Sequence, residues 1–274
     1  MAAREPQIRR LRIGGRDLRV AVWKAATSGQ ARPLLFFNGI GANIEIMAPL
    51  AEWLSDRDLI TFDMPGVGGS PEPKWPYRPW TMALRTARLL TELGYDKVDV
   101  MGVSWGGGMA QQFAFQHHRR TGRLVLAATA AGLLMVPGDL GVLSKMASPK
   151  RYIDPKFMRE NFEQLYGDEI SAAGGHAGRL KPPTTRGYLY QLAAMAGWTS
   201  AIFLPLVKAP TLIIMGADDK IVPAVNGKIL AGLMPNARLE MVPGGHLFLV
   251  SKAGQAIPLI RAFLDEPDAA KAAA

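Results

Sequence analysis

VDVMGVSWGGGMAQQFAFQ, residues 98–116, is a short apolar run that passes through Gly102-Val103-Ser104-Trp105-Gly106 into a helical pattern. The pentapeptide fits G-x-S-x-G. A chain with 29 glycines in 274 residues meets that pattern by chance roughly 0.1 times, so the flanks carry the argument. A buried-type strand before the motif and a helix after it make the strand–turn–helix that presents a serine hydroxyl at the carboxyl end of a central strand. Glycines at 102 and 106 permit the sharp turn and the close packing of helix on strand.

The same rhythm extends in both directions. Pro33–Asn38, Leu59–Asp63, Val98–Val103, Arg123–Ala128, Thr211–Met215 and Arg238–Val242 are near-continuous apolar runs that suit strands buried on both faces. Helical patterns at Trp80–Leu93, Met109–His118, Val225–Met234 and Ala253–Leu264 alternate with them. Together they predict an α/β fold with a mostly parallel central sheet flanked by helices. Ile8–Ile13 and Leu18–Trp23, joined through Gly14-Gly15-Arg16-Asp17, read as an antiparallel hairpin on the sheet edge. From about Leu133 to Leu206 the rhythm gives way to Met, Phe, Tyr and Trp at helical spacings, punctuated by Gly174-Gly175 and Pro182-Pro183. The expected division is residues 1–132 as the first part of the core, 133–206 as a helical cap insertion, 207–266 as the second part of the core and 267–274 as a frayed tail.

Composition narrows the function classes. Apolar residues make up 49% and charged residues 20%, which excludes a disordered chain. Without cysteine there is no disulfide, thiolate metal site or thiol nucleophile. No run approaches about 18 apolar residues, so no transmembrane segment is expected. The opening MAAREPQIRRLRIGG lacks the apolar core of a secretory signal, which predicts a cytoplasmic protein. Residues 1–32 hold eight Lys/Arg against Glu5 and Asp17, +6 of the net +9, so the rest is nearly balanced. A solvated basic hairpin is the main reading, with weak attraction to an anionic surface as the lesser one, and no nucleic-acid partner is expected.

A serine hydroxyl needs a base, and four histidines are available. In strand–turn–helix hydrolases the chain order is Ser, acid, His, which removes His117 and His118 at the end of the helix after the motif. His176 precedes every plausible strand-end acid. His246 follows the last strand and Gly244-Gly245, and is the expected base. The acid that fixes its tautomer should leave the TLIIM run, at Gly216-Ala217-Asp218-Asp219. Adjacent side chains there point to different sides, so one aspartate faces His246. Asp219 is the choice and Asp218 the alternative. For the tetrahedral oxyanion, the backbone N–H of Trp105 and one from Asn38-Gly39-Ile40-Gly41, with Ile40 favoured, are the expected donors. The glycine-rich Asp63–Ser70 stretch lacks G-x-G-x-x-G and G-K-[ST], and reads as a structural loop. No two histidines have zincin spacing, so neither a metal nor any cofactor is expected.

At this point the residues resemble the α/β-hydrolase superfamily from about Arg9 to Leu264. FNGIGAN (37–43), DMPGVGGS (63–70), GVSWGGGMAQQFA (102–114), LVLAATAAG (124–132), MVPG (135–138), ASPKRYI (147–153), GWTS (197–200) and GGHLFLV (244–250) are similar to segments of the intracellular medium-chain-length polyhydroxyalkanoate depolymerases. Several of these lie in the cap, so the likeness goes beyond the superfamily. The resemblance implies a cytoplasmic serine esterase acting on storage polyester granules, with nucleophile Ser104, acid Asp219 and base His246. An apolar cap containing Met135, Met146, Phe157, Met158, Phe162, Tyr188 and Trp198 fits acyl chains better than sugars or phosphates. Asn38, Met135, Met146, Trp198 and Phe248 are the candidate substrate contacts.

Two rival readings accompany this one. A small-molecule carboxylesterase or a carbon–carbon bond hydrolase of dienoic ring-cleavage products would use the same fold, the latter with a cationic clamp from Arg151, Arg159, Arg179 or Arg186. A non-catalytic granule- or partner-binding protein would keep the fold without turnover.

Overall fold

The computed structural model describes residues 4–26, 31–148, 154–166 and 178–268. His176, Arg151 and the end of the tail lie outside them, as do the side chains of Met158 and Arg159. Strands β1 (Gln7–Ile13) and β2 (Arg16–Trp23) form the expected edge hairpin. Its two-residue turn places Gly14 and Gly15 at φ +54° and +77°, a conformation in which a side chain would be strained. β3 (Leu34–Phe37), α1 (Ala48–Trp53), β4 (Leu59–Phe62), α2 (Pro79–Glu92), β5 (Val98–Val103), α3 (Trp105–Gln116) and β6 (Thr121–Ala127) follow. After α4 (Leu140–Ala147), α5 (Pro155–Tyr166) and α6 (Thr185–Met195), the chain returns through β7 (Thr211–Gly216), α7 (Val225–Leu233), β8 (Ala237–Val242), α8 (Phe248–Ser251) and α9 (Ala253–Leu264).

The strands form one sheet in the order β1-β2-β4-β3-β5-β6-β7-β8. β2 is antiparallel to both its neighbours and the pairs from β4 to β8 are parallel. Both faces are covered, as the continuous apolar runs require. Leu35, Phe37, Leu126, Ile213 and Met215 face one cluster with α2, α3 and α7. Their neighbours Leu34, Phe36, Val125, Leu212 and Ile214 face the other with α1 and α9. This period of two sets the β3–β5 and β5–β6 registers, and with them the height at which β5 ends.

α3 begins at Trp105, four residues before the periodic pattern that starts at Met109. The intervening glycines lower helix propensity, but the packing needs them. A Cβ on Gly106 would collide with the carbonyl oxygens of Phe37 and Asn38, and one on Gly107 with Thr129.

α4, α5 and α6 lie between β6 and β7 and pack Val142, Leu165 and Ala194 into the first cluster. The segment before α6 docks through polar contacts. The Asn43 amide donates to the Arg179 carbonyl (3.0 Å) and its oxygen accepts from Lys181 N–H (2.9 Å). Glu45 accepts from Lys181 (2.6 Å), Asn43 (2.6 Å) and the two terminal guanidinium nitrogens of Arg19 (3.1 and 3.2 Å). The Asp63–Ser70 loop is wrapped around the buried Asp63 carboxylate, which takes N–H groups from Ile44 and Gly69 and a bond from Arg19.

Burial alone would raise the Glu45 carboxyl, but the hydrogen bonds from Arg19, Lys181 and Asn43 hold it down at about 2. A carboxyl depressed in the folded protein stabilises it fully above the ordinary glutamate value of 4.5 and loses that contribution as pH falls toward 2. The melting temperature is therefore expected to fall between those values more steeply in the wild type than in Glu45→Gln. Parallel profiles would contradict the anchoring role.

Candidate active site

Ser104 follows the last residue of β5 and caps α3. Its backbone sits at φ 55°, ψ −122°, a region that non-glycine residues occupy only when the surroundings force it. Three bonds hold it there. Ser104 N–H donates to the Ala127 carbonyl (2.9 Å), while the Ser104 carbonyl accepts from Gly107 N–H (2.8 Å) and from the Thr129 hydroxyl (2.7 Å). The result aims the hydroxyl away from the strand, toward the loop after β8.

There His246 Nε2 lies 3.0 Å from Ser104 Oγ, and His246 Nδ1 lies 2.7 Å from Asp219 Oδ2. Since a carboxylate only accepts, Nδ1 carries the proton and Nε2 is left to accept from the serine hydroxyl. Asp219 and His246 are both about 5% exposed. The second Asp219 oxygen accepts the N–H groups of Ile221 (2.8 Å) and Val222 (2.9 Å), which fix the carboxylate. Asp218 is exposed and does not share the site. Gly216 and Gly244-Gly245 let the two loops touch, because a Cβ on Gly216 would strike the carbonyl oxygens of both. Such a line can move a proton from Ser104 to His246 and stabilise the charge that develops on the ring.

Trp105 opens α3, so its N–H is among the helix-end donors that have no intrahelical acceptor. The Asn38–Gly41 loop lies alongside, and a Cβ on Gly39 would come 3.9 Å from Ser104 Cβ. Ile40 sits in the turn of this loop.

The remaining candidates disperse. Asn38 is buried beside the Asn43 carbonyl (3.4 Å). Met135 is 38% exposed, and Met146 packs against the first cluster with its carbonyl accepting from Tyr188 Oη (3.1 Å). Trp198 covers Gly108, and its indole donates to Gln112 (2.7 Å), one and two turns along α3 from Ser104. Phe248 is wholly buried in the second cluster, on the α1 and α9 side. His117 packs at a tilt against the Phe113 ring, 5.0 Å between centroids, with burial and Arg120 lowering its pKa. Arg186 pairs with Glu72 (3.3 Å) at the surface. Two residues that the motifs did not signal also reach the site: Thr129, which bonds the Ser104 carbonyl, and Gln191 of α6, whose side chain bonds Gly41 N–H (2.9 Å).

A family model described as alpha/beta hydrolase fold matches residues 32–166. A poly(3-hydroxyalkanoate) depolymerase of Ectopseudomonas oleovorans is 46% identical over 239 residues, 85% of this chain and 84% of that protein. The chain belongs to the α/β-hydrolase family. A 3-oxoadipate enol-lactonase of Acinetobacter baylyi is 26% identical across 81% of this hydrolase and 85% of its own length. A crystal structure of a hydrolase from Pseudomonas aeruginosa superposes with a TM-score of 0.78 at 23% identity, covering 95% of this hydrolase and 99% of that chain. At that identity the superposition speaks to the fold alone.

The geometry distinguishes the two adjacent aspartates of this hydrolase. Asp219→Asn is expected to slow phosphonylation of Ser104 by a serine-directed phosphonate about 10²–10⁴-fold, because the amide no longer fixes the productive tautomer. Asp218→Asn should stay within about twofold of the wild type. Equal effects of the two would contradict this assignment.

Proposed function

We propose that this hydrolase is a serine esterase that cleaves the ester bonds of medium-chain-length polyhydroxyalkanoate to 3-hydroxy acid monomers and oligomers, in the cytoplasm at the surface of storage granules. The observation that carries this reading is the 46% identity to a poly(3-hydroxyalkanoate) depolymerase over 85% of the chain. The hydrogen-bonded Ser104, His246 and Asp219 support the chemistry. Exposed apolar side chains at Leu133, Leu134, Met135 and Leu140, at the carboxyl edge of the sheet, support an apolar substrate. In the dienoic-acid reading a cation must meet the substrate carboxylate, and Arg186 is instead paired with Glu72.

Ser104 Oγ attacks the ester carbonyl carbon as its proton passes to His246 Nε2. The oxyanion takes hydrogen bonds from the N–H groups of Trp105 and Ile40. Collapse breaks the bond to the alkoxy oxygen, which receives the proton from His246 and departs as the 3-hydroxyl of the shortened chain. A 3-hydroxyacyl ester on Ser104 remains. Water then attacks that carbonyl as His246 takes its proton, and a second collapse releases the acid and restores the serine hydroxyl. Asp219 orients the imidazole and stabilises its protonated form throughout. Met135 and Met146 offer adaptable apolar surface to the acyl side chain. Asn38 and Trp198 act by packing the walls behind it, whereas Phe248 is buried on the other face of the sheet and takes no part.

Amorphous medium-chain polyhydroxyalkanoate granules provide the test, with tributyrin in parallel. The wild type is expected to release soluble 3-hydroxy acids, and Ser104→Ala to lose at least about 10³-fold of that rate. Cleavage of tributyrin with no release from granules would overturn the polymer assignment and leave a small-molecule esterase.

A further inference from the structure

Gln191 lies on the face of α6 that meets the core, between Tyr188 and Ala194, and none of it reaches solvent. Its side-chain oxygen accepts Gly41 N–H at 2.9 Å, and its main-chain oxygen accepts the Trp105 indole N–H at 2.9 Å. One cap residue thus grips the two places from which the proposed oxyanion donors come. Its Nε2 is buried with no partner among the described residues. A buried amide bonded at one end only is less favourable than an apolar side chain of the same shape, so packing alone does not account for it.

Gly41 N–H belongs to the Ile40–Gly41 peptide, the one after the peptide that carries Ile40 N–H, so the bond to Gln191 fixes the turn from which Ile40 N–H projects. Gly41 itself is at φ +71°, where glycine is free to turn and an external bond must hold it. On the other side, the indole bond holds the Trp105 side chain at the first residue of α3.

We propose that Gln191 is a positioning residue that couples seating of the cap to formation of the oxyanion hole. This rests on the serine-esterase reading above. With α6 seated, Gly41 and Trp105 are held and the Ile40 and Trp105 N–H groups converge on the substrate oxygen. With α6 lifted, both lose their partners while the Gln191 amide gains water. The hole is therefore complete only over an enclosed substrate.

Gln191→Met keeps the side-chain length and the main-chain oxygen but removes the bond to Gly41. For p-nitrophenyl butyrate, kcat is expected to fall roughly 10- to 100-fold with KM changed less than about threefold. Phosphonate labelling of Ser104 should slow by a similar factor, with Tm held within a few degrees. Gln191→Glu supplies a rescue with its own signature. Its protonated carboxyl can still accept from Gly41, whereas the ionised form opposes an oxyanion, so its kcat relative to wild type should fall as pH rises. Wild-type kcat in Gln191→Met, a loss that only tracks a lowered Tm, or a flat Gln191→Glu ratio across pH would each overturn the positioning role. Absence of ester turnover and of labelling in the wild type would overturn the esterase reading itself, and this inference with it.

Discussion

Everything at the carboxyl edge of the sheet follows from the backbone of Ser104, which is held at a positive φ between the end of β5 and the start of α3. Strain of this kind costs on the order of 1–3 kcal/mol and persists only where neighbouring structure over-determines it. Here the determinants are close approaches that exclude a side chain. Gly102 lies against the Gly106 carbonyl, and Gly106 against the carbonyls ending β3. Because β3 and β6 flank β5 in parallel register, the Asn38–Gly41 loop and Thr129 arrive at the height of Ser104 as a consequence of strand pairing. The parallel sheet thus delivers the Ser104 hydroxyl, the candidate oxyanion loop and, after β7 and β8, Asp219 and His246 to one edge.

The helices between β6 and β7 hold that edge from above. The Tyr166 main-chain carbonyl at the end of α5 accepts the His246 main-chain N–H (2.8 Å), and Gln191 of α6 bonds both Gly41 and Trp105. Arg78, at the start of α2, reaches the carbonyls of Ala193 and Ala196 and so satisfies the end of α6. The first two of these join α5 and α6 to the loops around His246 and Ser104.

Much of this was legible in the residues, because the governing constraints are local. Continuous apolar runs marked strands buried on both faces, and Gly-Gly between two alternating runs marked the hairpin. The spacing of Ser104, Asp218-Asp219 and His246 followed strand ends. What was not legible depended on packing between distant segments. The helical pattern was legible only from Met109, yet α3 starts at Trp105, where β3, Thr129 and Trp198 crowd its first turn and leave room only for glycine. Phe248, two residues after His246, read as a pocket residue. The chain reverses there into α8 and carries the ring to the opposite face of the sheet. Gln191 had one faint signal, a polar residue on the buried stripe of α6, and nothing in the sequence says which loop it meets.

The central claim is that Ser104, activated by His246 and Asp219, carries the acyl group of a hydroxyalkanoate ester. Rapid-quench mass spectrometry of a single turnover with a 3-hydroxyoctanoyl ester tests it most directly. The account predicts a transient adduct of one 3-hydroxyacyl group on the peptide containing Ser104, formed before the free acid appears. Free acid produced with no adduct at any quench time, or an adduct on another residue, would contradict it.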